Sequence, residues 1–445
     1  MEDFRRVADA VQADIEAGRL RPGDRLATQR QFARTHGIAN STAGRVYAEL
    51  GRRGLILGEV GRGTFVRAAA KHPLALSDPS NAPADLELSV PSVPEQFPLL
   101  AEGLARMHRP DVLRNALLPV GVSGTPEART AAAATLACAG WAPDPADILF
   151  AGSGRQAIAA TIAALVPPGG RLGVEELTYP VVRAIAARLG VVLVPLAMDS
   201  AGVRPAAVAA AHRVARLQAI YLQPTLHNPL SITMPAERRN ELAALANRLR
   251  LPMIEDAVWS RFGDTALPPI ALGAPEHAVV IDSLSKRVAP GLSIGMAVVP
   301  HRIAGAVRAS LRTGAWTAQR YALEAATGWM SDGTLAAVLE AKRVDARVRQ
   351  DAVRSKLAGF RLRTAPGAYM CWWELPEPWR ADTFVAAAAR RGIAVTPGAA
   401  FAVAPATAHD AIRLGLASPT PDALSAALEV LATLAGSIPE HEPVD

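Results

Sequence analysis

Lysine is scarce in this chain. Four of its 445 residues are lysines, at positions 71, 286, 342 and 356, whereas lysine and arginine together number 47. A guanidinium group stays protonated at any pH that a folded protein tolerates, but a lysine amine can lose its proton when its surroundings disfavour the charge. A lysine kept in so arginine-rich a chain indicates a place where an amine is needed, and we expect Lys286 in "SLSKRVAPG" (283–291) to be that place.

Cysteine and long apolar runs are also nearly absent. The two cysteines, Cys138 and Cys371, exclude a disulfide framework and a cysteine-based metal site, so we expect two reduced thiols and no bound metal. No apolar run reaches the roughly 18 residues that a transmembrane helix needs, which predicts no membrane partner. The first residues mix acidic and basic side chains and lack an apolar signal core, which predicts a cytoplasmic protein.

Positive charge is concentrated at the start of the chain. The net charge is +6, and residues 1–70 alone hold 12 arginines against 8 acidic residues, an excess of +4. Such a concentration is typical of a small module that contacts a polyanion. The full length is too great for one compact core, so we expect two or three domains.

The first 66 residues have the pattern helix, helix, helix, hairpin. Apolar residues at helical spacing predict helices over 3–17, 28–36 and 41–54, with Thr28 as the N-cap of the second helix. "LILGEVGRGTFV" (55–66) predicts two short strands around a glycine-rich tip. The motifs "GRLRPGDRL", "QRQFARTHGI", "YAELGRRGLI" and "GRGTFV" resemble the winged helix-turn-helix of the GntR superfamily. This resemblance implies binding to double-stranded operator DNA.

The third helix and the hairpin tip carry side chains suited to nucleic acid. A helix that opens with Asn40, Ser41 and Thr42 presents main-chain NH groups and hydroxyls to phosphates or base edges. Arg62 lies between two glycines, which allows a close approach to a minor groove. The alternative is a solvated basic surface whose arginines pair with local acids. The residues predicted to contact DNA are Arg30, Asn40, Ser41, Thr42, Arg45, Arg62 and Gly63.

Strand and helix patterns alternate after a proline-rich segment. We place the winged module at 1–68, the proline-rich linker at 69–98 and an α/β domain at 99–440, divided into a large subdomain at about 115–305 and a small one at about 306–435. Short apolar strands with helical crossovers predict a largely parallel sheet covered on both faces. The strands are expected over 147–152, 171–176, 191–196, 219–224, 252–257, 278–285 and 293–299.

Polar and small residues stand where these strands end. Ligands of parallel α/β sheets bind at the carboxyl ends of the strands. "AGSGRQAI" (151–158) is a small-residue turn that opens a helix and suits a phosphate held by main-chain NH groups. Each polar residue alone has an ordinary alternative, such as a solvated loop carboxylate or a surface lysine, but their order along the chain predicts one site. These residues are Tyr179, Asn228, Asp256, Ser283, Ser285 and Lys286.

In order and spacing these motifs resemble the pyridoxal-phosphate enzymes of fold type I, aminotransferase class I. Asp256 precedes Lys286 by 30 residues, and the resemblance covers most of 99–435. It implies pyridoxal 5'-phosphate as cofactor, with Lys286 as the Schiff-base lysine, Asp256 at the pyridine nitrogen and Arg413 on a substrate or effector carboxylate. The further cofactor contacts that it implies are Ser153, Gly154, Arg155, Tyr179, Asn228, Trp259, Ser283 and Ser285.

Three features depart from the pattern of that family. The segment "LLPVGVSGTPEAR" (117–129) lacks the tyrosine that usually reaches the phosphate bound in the partner subunit, and the other two departures are single positions. Trp259 stands where a tyrosine usually hydrogen-bonds the phenolate oxygen of the cofactor, and an indole NH can donate one bond but cannot titrate like a phenol. Ser293 stands where an arginine usually neutralises the cofactor phosphate. The cation for the phosphate is then either Arg155 or Arg287.

A GntR-type module joined by a proline-rich linker to an aminotransferase-like domain resembles the MocR subfamily of bacterial regulators. This resemblance implies a homodimer that binds DNA and senses pyridoxal phosphate or an amino compound with its second domain. We therefore predict a multidomain transcription regulator rather than an enzyme. Two alternatives stay open: an active pyridoxal-phosphate-dependent aminotransferase with an accessory DNA-binding module, and a regulator whose pocket has lost the cofactor.

Overall fold

The computed structural model describes residues 4–16, 19–20, 24–53, 55–59, 63–66, 82–404 and 410–437. These residues form an N-terminal helical module, a large subdomain with a seven-stranded sheet and a small subdomain with a five-stranded sheet. Arg62 and most of the predicted linker lie outside the described residues.

The N-terminal module consists of three helices and a hairpin. Its elements are α1 (Phe4–Glu16), α2 (Gln29–His36), α3 (Asn40–Arg52) and the antiparallel strands β1 (Ile56–Glu59) and β2 (Gly63–Val66). The Thr28 side chain caps α2 by accepting from the main-chain NH of Gln31, and the Gln31 side chain accepts in return from the main-chain NH of Thr28. The apolar faces of the helices meet in one core, which includes Phe4, Ala8, Val11, Ile15, Phe32, Val46 and Leu50.

The large subdomain is a mostly parallel sheet with helices on both faces. Within this sheet one strand, β12 (Gly295–Val298), runs antiparallel to both neighbours, and the other pairs are parallel. Ile220 and Leu222 enter the core on one face, while Ala219 and Tyr221 enter the core on the other. Because both faces are covered, the strands read as continuous apolar runs. The strand order is β4 (Ile148–Ala151), β12 (Gly295–Val298), β11 (Ala278–Ser283), β10 (Met253–Asp256), β9 (Ala219–Leu222), β5 (Arg171–Glu175), β6 (Val192–Leu196).

The helices of the large subdomain extend further along the chain than predicted. Val307 and Leu311 lie in the core on one face of the sheet, and Trp329 lies in the core on the other. The predicted boundary near 305 is therefore too early. A two-stranded hairpin, β7 (Met198–Asp199) and β8 (Gly202–Val203), also belongs here. The helices are α4 (Gln96–Ala105), α5 (Pro110–Ala116), α6 (Pro126–Leu136), α7 (Gly154–Leu165), α8 (Pro180–Leu189), α9 (Pro205–Val214), α10 (Ala236–Leu249), α11 (Leu284–Arg287), α12 (His301–Thr313) and α13 (Arg320–Ser331).

The small subdomain follows the long helix α14 (Thr334–Lys356), which packs against both subdomains. Its sheet has the order β13 (Arg361–Arg363), β14 (Met370–Glu374), β16 (Ala411–Gly415), β15 (Ile393–Pro397), β3 (Ala84–Leu86). Two helices, α15 (Ala381–Arg390) and α16 (Pro421–Ala435), complete it. The edge strand β3 pairs in parallel with β15 and comes from the predicted linker, so the ordered domain begins before residue 99.

Ion pairs join the N-terminal module to the small subdomain. The buried guanidinium of Arg53 lies 2.7 Å from Asp9 and 2.9 Å from Glu49, both in its own module. The same group lies 3.6 Å from Asp382 in α15. Arg380, just before α15, lies 3.3 Å from Asp9. Charges of both signs thus alternate across the contact between α1, α3 and α15.

Candidate functional site

The polar residues predicted to form one site lie at the carboxyl ends of neighbouring strands. Asp256 is the last residue of β10, and Ser283 is the last residue of the adjacent strand β11. Gln223 directly follows β9, on the other side of β10. Gly154 begins α7 shortly after β4. Because parallel strands end at one edge, the residues that follow them converge there.

The carboxylate of Asp256 is buried and held by three donors. Its Oδ2 accepts from the Tyr221 hydroxyl at 2.6 Å and from Gln223 Nε2 at 2.9 Å. Its Oδ1 accepts from the main-chain NH of Val258 at 3.2 Å. Burial raises the pKa of Asp256, and the three hydrogen bonds oppose this by favouring the carboxylate. The carboxylate is thus fixed in orientation. Oδ2 accepts two hydrogen bonds and Oδ1 accepts one, so Oδ1 has more capacity left for a further donor.

Asn228 belongs to the same hydrogen-bond network. Its main-chain NH donates to Gln223 Oε1 at 3.4 Å. Its side-chain oxygen is buried and has no hydrogen-bond partner among the described residues. The oxygen and nitrogen of a carboxamide exchange when the group is flipped, so this end can present either a donor or an acceptor. A buried amide without a partner indicates room for a polar ligand atom.

Lys286 occupies the short helix α11 beside the end of β11. Its amine is half-buried and donates to the main-chain oxygen of Ser89. Its Nζ lies 5.3 Å from the ring centroid of Trp259, which is a cation–π contact when the amine is protonated. Trp259, a predicted cofactor contact, therefore lies next to Lys286. The amine therefore lies between the end of the predicted linker and a buried aromatic ring.

The surroundings of Lys286 favour its neutral form. Burial lowers its pKa to about 7, and the positive charges of Arg155, Arg413 and Lys342 contribute, while Asp256 opposes them. A neutral primary amine is the nucleophilic form of lysine. At neutral pH a large share of this amine is consequently ready to attack a carbonyl carbon.

Small residues line the approach to α7. Ser153 caps this helix by accepting from the main-chain NH of Gln156 at 3.2 Å. A Cβ atom on Gly154 would lie 2.9 Å from the Cβ of Ser283, and one on Gly295 would lie 2.3 Å from the main-chain oxygen of Ser153. Glycine is thus required for the first turn of α7 to pack so closely on the strand ends.

Three serines, at positions 283, 285 and 293, form a polar cluster next to this turn. The hydroxyls of Ser283 and Ser293 are 2.9 Å apart, and the main-chain NH of Ser285 donates to Ser283 Oγ at 3.2 Å. Ser293, which replaces the arginine of the family pattern, is therefore joined to a predicted phosphate ligand. This cluster supplies hydroxyl groups but no charge.

The two arginines suggested for the phosphate differ in their partners. Arg287 is buried and forms an ion pair with Asp282 at 2.5 Å, so its charge is already used. Arg155 is exposed, and its Nε donates to the Tyr179 hydroxyl at 3.2 Å. Within the described ranges, Arg155 forms no ion pair with an acidic side chain. Of the two, Arg155 is thus the cation that is available to a phosphate.

Arg413 is a buried cation in β16. Its guanidinium carbon lies 5.4 Å from the ring centroid of Phe401, its Nε has no hydrogen-bond partner, and it forms no ion pair in the part of the chain that the structure describes. Burial lowers the pKa of Arg413 to about 10, while Glu87, Tyr179 and Asp85 oppose this. A buried guanidinium without a bonded carboxylate is costly, which favours an anionic ligand.

Four contributors to this site escaped the sequence analysis. Tyr221 and Gln223 hold Asp256, and Ser89 accepts from Lys286. Lys342, fully buried in α14, donates to the main-chain oxygens of Lys286 at 3.0 Å and Val288 at 2.7 Å. Lysine scarcity could have pointed to Lys342, and Gln223 opens the motif "QPTLHNP", but no local signal marks Tyr221 or Ser89.

The predicted DNA contacts lie around α2 and α3. An open groove is lined by Arg30, Arg34 and Asn40, which places two of the predicted residues together. α3 begins without a side-chain cap at Ala39, so no capping side chain occupies its first main-chain NH groups. Ser41 and Arg45 are exposed, and Thr42 is half-buried.

An arginine from the segment before α2 packs against the hairpin near the predicted wing contact. Gly63 has a φ of 120°, and a Cβ atom there would lie 2.7 Å from Arg25 Nε. Glycine thus lets the Arg25 guanidinium pack against the wing, a position that the sequence analysis missed. Arg62 lies outside the described residues.

The described ranges hold neither a cluster of metal-ligating side chains nor a membrane-spanning helix. They contain no group of three or more His, Cys, Asp or Glu side chains placed to hold a metal ion. Nor do they contain a helix with the length and apolar character needed to cross a membrane.

Comparison with known families accounts for both parts of the chain. Residues 114–431 match the family described as "Aminotransferase class I and II", and residues 4–66 match "Bacterial regulatory proteins, gntR family". Fold and site together define a regulator with a helix-turn-helix module and an aminotransferase-like domain. The chain belongs to the aminotransferase class I and II family and also carries a GntR module, a combination consistent with the predicted MocR subfamily of regulators.

Similar proteins span nearly the whole chain. The uncharacterized HTH-type transcriptional regulator YdeF of Bacillus subtilis (strain 168) is 28% identical over 419 residues, which cover 94% of this chain and 90% of that protein. The vitamin B6 salvage pathway transcriptional repressor PtsJ of Salmonella typhimurium (strain LT2) is 26% identical over 405 residues, which cover 89% and 90%. These names support the predicted regulator.

A solved structure shows the fold of the second part. LysN, an α-aminoadipate aminotransferase from Thermus thermophilus complexed with N-(5'-phosphopyridoxyl)-L-leucine, superposes with a TM-score of 0.70 at 22% identity. The match covers 79% of this chain and 92% of LysN. The predicted fold type I domain is confirmed.

Proposed function

We propose that this regulator binds double-stranded operator DNA through its N-terminal module and pyridoxal 5'-phosphate through Lys286, and that it responds to the cofactor or to an amino compound. One observation carries the proposal: Lys286, with a pKa lowered to about 7, lies at the same edge of the sheet as the firmly oriented carboxylate of Asp256 and within its electrostatic influence. The aminotransferase class I fold itself implies this cofactor.

The ring-binding residues of the pocket fit pyridoxal phosphate. When bound, this cofactor supplies an aldehyde that condenses with primary amines and a pyridine ring that withdraws electrons. Asp256 is suited to the protonated ring nitrogen because its carboxylate is buried and fixed. The unpartnered carboxamide of Asn228 is suited to the phenolate oxygen, and the Tyr179 ring is suited to the face of the pyridine.

The phosphate would be held by the first turn of α7 and the serine cluster. Main-chain NH groups at a helix N-terminus favour an anion, and the small residues Ser153 and Gly154 allow a close approach. Ser283 and Ser285 add a hydroxyl each, and Arg155 adds the positive charge.

Arg413 defines the effector that the pocket would accept. A guanidinium binds a carboxylate by two parallel hydrogen bonds, and this guanidinium is buried without an ion pair among the described residues. An effector with a primary amine for the cofactor and a carboxylate for Arg413 satisfies both groups. The effector class that we propose is therefore an amino acid or a close analogue.

We further propose a homodimer formed through α4, α5 and the turn that follows. Large apolar side chains are exposed there: Phe97 by 60%, Leu117 by 75% and Leu118 by 52%. Exposed apolar patches of this kind mark protein interfaces. Leu117→Glu should yield monomers in light scattering, whereas Val214→Glu, at an exposed residue of α9, should leave the mass unchanged. A dimeric Leu117→Glu variant would contradict this interface.

The visible spectrum tests the cofactor assignment. Wild-type protein mixed with pyridoxal phosphate should gain an absorbance band that Lys286→Ala lacks while keeping its fold. Lys356→Ala is the matched control, because Lys356 is the last residue of α14 and pairs with Glu429 in α16. An unchanged band in Lys286→Ala would show that another amine binds the cofactor.

Turnover separates the regulator from the alternative enzyme. The protein should bind operator DNA with an affinity that changes on adding the cofactor or an amino acid. An assay with amino acids and 2-oxoglutarate should show no sustained turnover, since Trp259 replaces the titratable tyrosine of the family pattern. Sustained turnover without any change in DNA affinity would favour the aminotransferase.

A further inference from the structure

The residues that follow β3 enter the pocket. Asp85 Oδ1 accepts from the main-chain NH groups of Glu87 at 2.8 Å and Leu88 at 3.1 Å, which turns the chain after the strand. The turn brings the main-chain oxygen of Ser89 to the Lys286 amine. We call residues 87–90 the arm, because they connect the pocket to the linker and the DNA-binding module.

Further contacts hold the arm against the small subdomain. Ser89 Oγ donates to the main-chain oxygen of Tyr369 at 3.1 Å, and Ser418 Oγ donates to that of Leu88 at 3.0 Å. A Cβ atom on Gly415 would lie 2.5 Å from the Leu88 oxygen and 2.7 Å from Arg413 Nη1. The arm thus runs between Lys286, which is assigned to the cofactor, and Arg413, which is assigned to the carboxylate of an effector.

The Ser89 main-chain oxygen depends on one side chain. Apart from Lys286, no donor among the described residues reaches it. A half-buried carbonyl that loses its donor is destabilised unless it moves to water. The position of the arm is therefore sensitive to the hydrogens carried by Lys286 Nζ.

We propose that the arm positions the free Lys286 amine and is released when that amine is consumed, so that the linker senses whether Lys286 is free. The inference rests on the proposed function. When the neutral amine condenses with the cofactor aldehyde, the Nζ–carbon bond forms and the carbonyl oxygen leaves as water with both amine hydrogens. The neutral imine that results has no hydrogen on Nζ to donate to Ser89.

A primary amine reverses this change. Its nitrogen replaces Nζ on the same carbon: the Nζ–carbon bond breaks, the new nitrogen–carbon bond forms, and the two hydrogens of the incoming amine pass to Nζ. Lys286 again donates to Ser89 and the arm is held. A tertiary amine has no hydrogens to transfer, so it leaves the arm free. The arm thereby distinguishes protein with cofactor alone from protein that has also met an amino effector.

Hydrogen–deuterium exchange of full-length protein tests this coupling. Peptides covering 84–92 are followed in protein alone, after addition of pyridoxal phosphate, and after further addition of hydroxylamine, a primary-amine nucleophile that needs no specific pocket. Exchange in the arm should be slow, then faster by about tenfold, as expected for the loss of one hydrogen bond, and then slow again. Absorbance spectra of the same samples report the state of Lys286.

Two variants at Lys286 serve as matched controls. Lys286→Met removes the donor, so arm exchange should be fast in all three conditions. Lys286→Arg keeps a donor that cannot condense, so exchange should be slow in all three. Peptides covering β5 report global unfolding; if they also exchange faster in one variant, the other variant and the wild type carry the test.

The outcomes separate this inference from the proposed function. An absorbance band that appears without faster arm exchange overturns the inference and leaves cofactor binding intact. If no band appears, cofactor binding at Lys286 fails. In that case the comparison of wild type with Lys286→Met in the absence of cofactor still decides whether the amine holds the arm.

Discussion

Burial gives two lysines different tasks at the scale of single residues. The pKa of both Lys286 and Lys342 is lowered to about 7, with burial as the main cause. Lys342 donates hydrogen bonds to two main-chain oxygens at the end of α11, so it stabilises the turn that contains Lys286. Lys286 contacts one carbonyl and one aromatic ring, which leaves it accessible to a carbonyl compound.

The pH dependence of cofactor binding should reflect the lowered pKa of Lys286. Condensation needs the neutral amine, so its rate should rise about tenfold per pH unit below pH 7 and level off above it. An unperturbed lysine would keep gaining rate up to a pH of about 10.4. Stopped-flow absorbance between pH 5.5 and about 10 measures the profile. A rate that still climbs at the alkaline end would contradict the environment described for Lys286.

Tyr221 should matter for the cofactor although it lies within the sheet. Tyr221→Phe removes one of the two donors to Asp256 Oδ2, so the pKa of Asp256 should rise and its carboxylate should lose orientation. A hydrogen bond to a charged group is worth about 1.5–3 kcal/mol, so cofactor affinity should fall by roughly tenfold or more. Tyr321→Phe, at a partly exposed residue of α13, is the control in an absorbance titration. Equal losses in both variants would show a nonspecific effect.

At the scale of elements, the strands were predictable because both faces of the sheet are buried. The ranges 219–224 and 252–257 contain β9 (Ala219–Leu222) and β10 (Met253–Asp256), because a strand covered on both faces is a short apolar run. The prediction for Asp256 rested on the order of the motifs and on the family resemblance, because a carboxylate at the end of such a run is by itself more often a solvated loop residue. Its partner Tyr221 was not predictable, because that contact depends on β9 lying beside β10, and strand order leaves no mark on either segment.

Contacts between distant segments set the limit of the prediction. Ser89 reaches Lys286 across 197 residues because β3 joins the sheet of the small subdomain, and a proline-rich composition gives no sign of that pairing. Arg287 pairs with Asp282 through the geometry of the turn between β11 and α11. Composition identifies a charged residue, but the fold decides whether its charge is already neutralised.

The recognition helix α3 yields a prediction about base contacts. Arg45 is exposed, and its guanidinium carbon lies 4.1 Å from the ring centroid of Phe4. An exposed cation–π contact is worth about 0.5–1 kcal/mol, whereas a bidentate contact with a base is worth about 1–3 kcal/mol. The Arg45 side chain therefore gains free energy when it leaves Phe4 to contact a base. Arg45→Ala should weaken binding to the operator by about 1–3 kcal/mol and should weaken binding to scrambled DNA by less.

DNA-binding titrations at several salt concentrations distinguish contacts with bases from contacts with phosphates. Arg363→Ala is the matched control, since Arg363 lies in the small subdomain and pairs with Glu374. Equal losses on operator and scrambled DNA for Arg45→Ala would make Arg45 a phosphate contact. Arg62, which the sequence predicts to lie between the two strands of the hairpin, is expected to behave as a phosphate contact.

For the whole molecule, the contact between the DNA-binding module and the small subdomain is the feature that can transmit a change. Arg53 is shared by Asp9 and Glu49 of its own module and by Asp382 of α15. Removing one partner of a buried ion pair costs more than the pair contributes, so the module keeps one orientation while all charges are paired. The arm offers a second connection, through β3 and the linker. The module is thus tied to the small subdomain by charge and to the pocket by the chain itself.

Asp382→Asn should loosen the first connection and leave the second. Asp9 and Glu49 stay within 2.9 Å of the Arg53 guanidinium, so the module should remain folded, while the partner at 3.6 Å loses its charge. The change should weaken the contact by about 1 kcal/mol, and the detached population should increase severalfold. Small-angle scattering should then show a larger radius of gyration, approached by wild type at high salt because screening weakens the same pair. Asp351→Asn, at an exposed residue of α14 paired with Arg354, should scatter like wild type. If Asp382→Asn and wild type scatter alike at low salt, the Arg53–Asp382 pair does not hold the module in place.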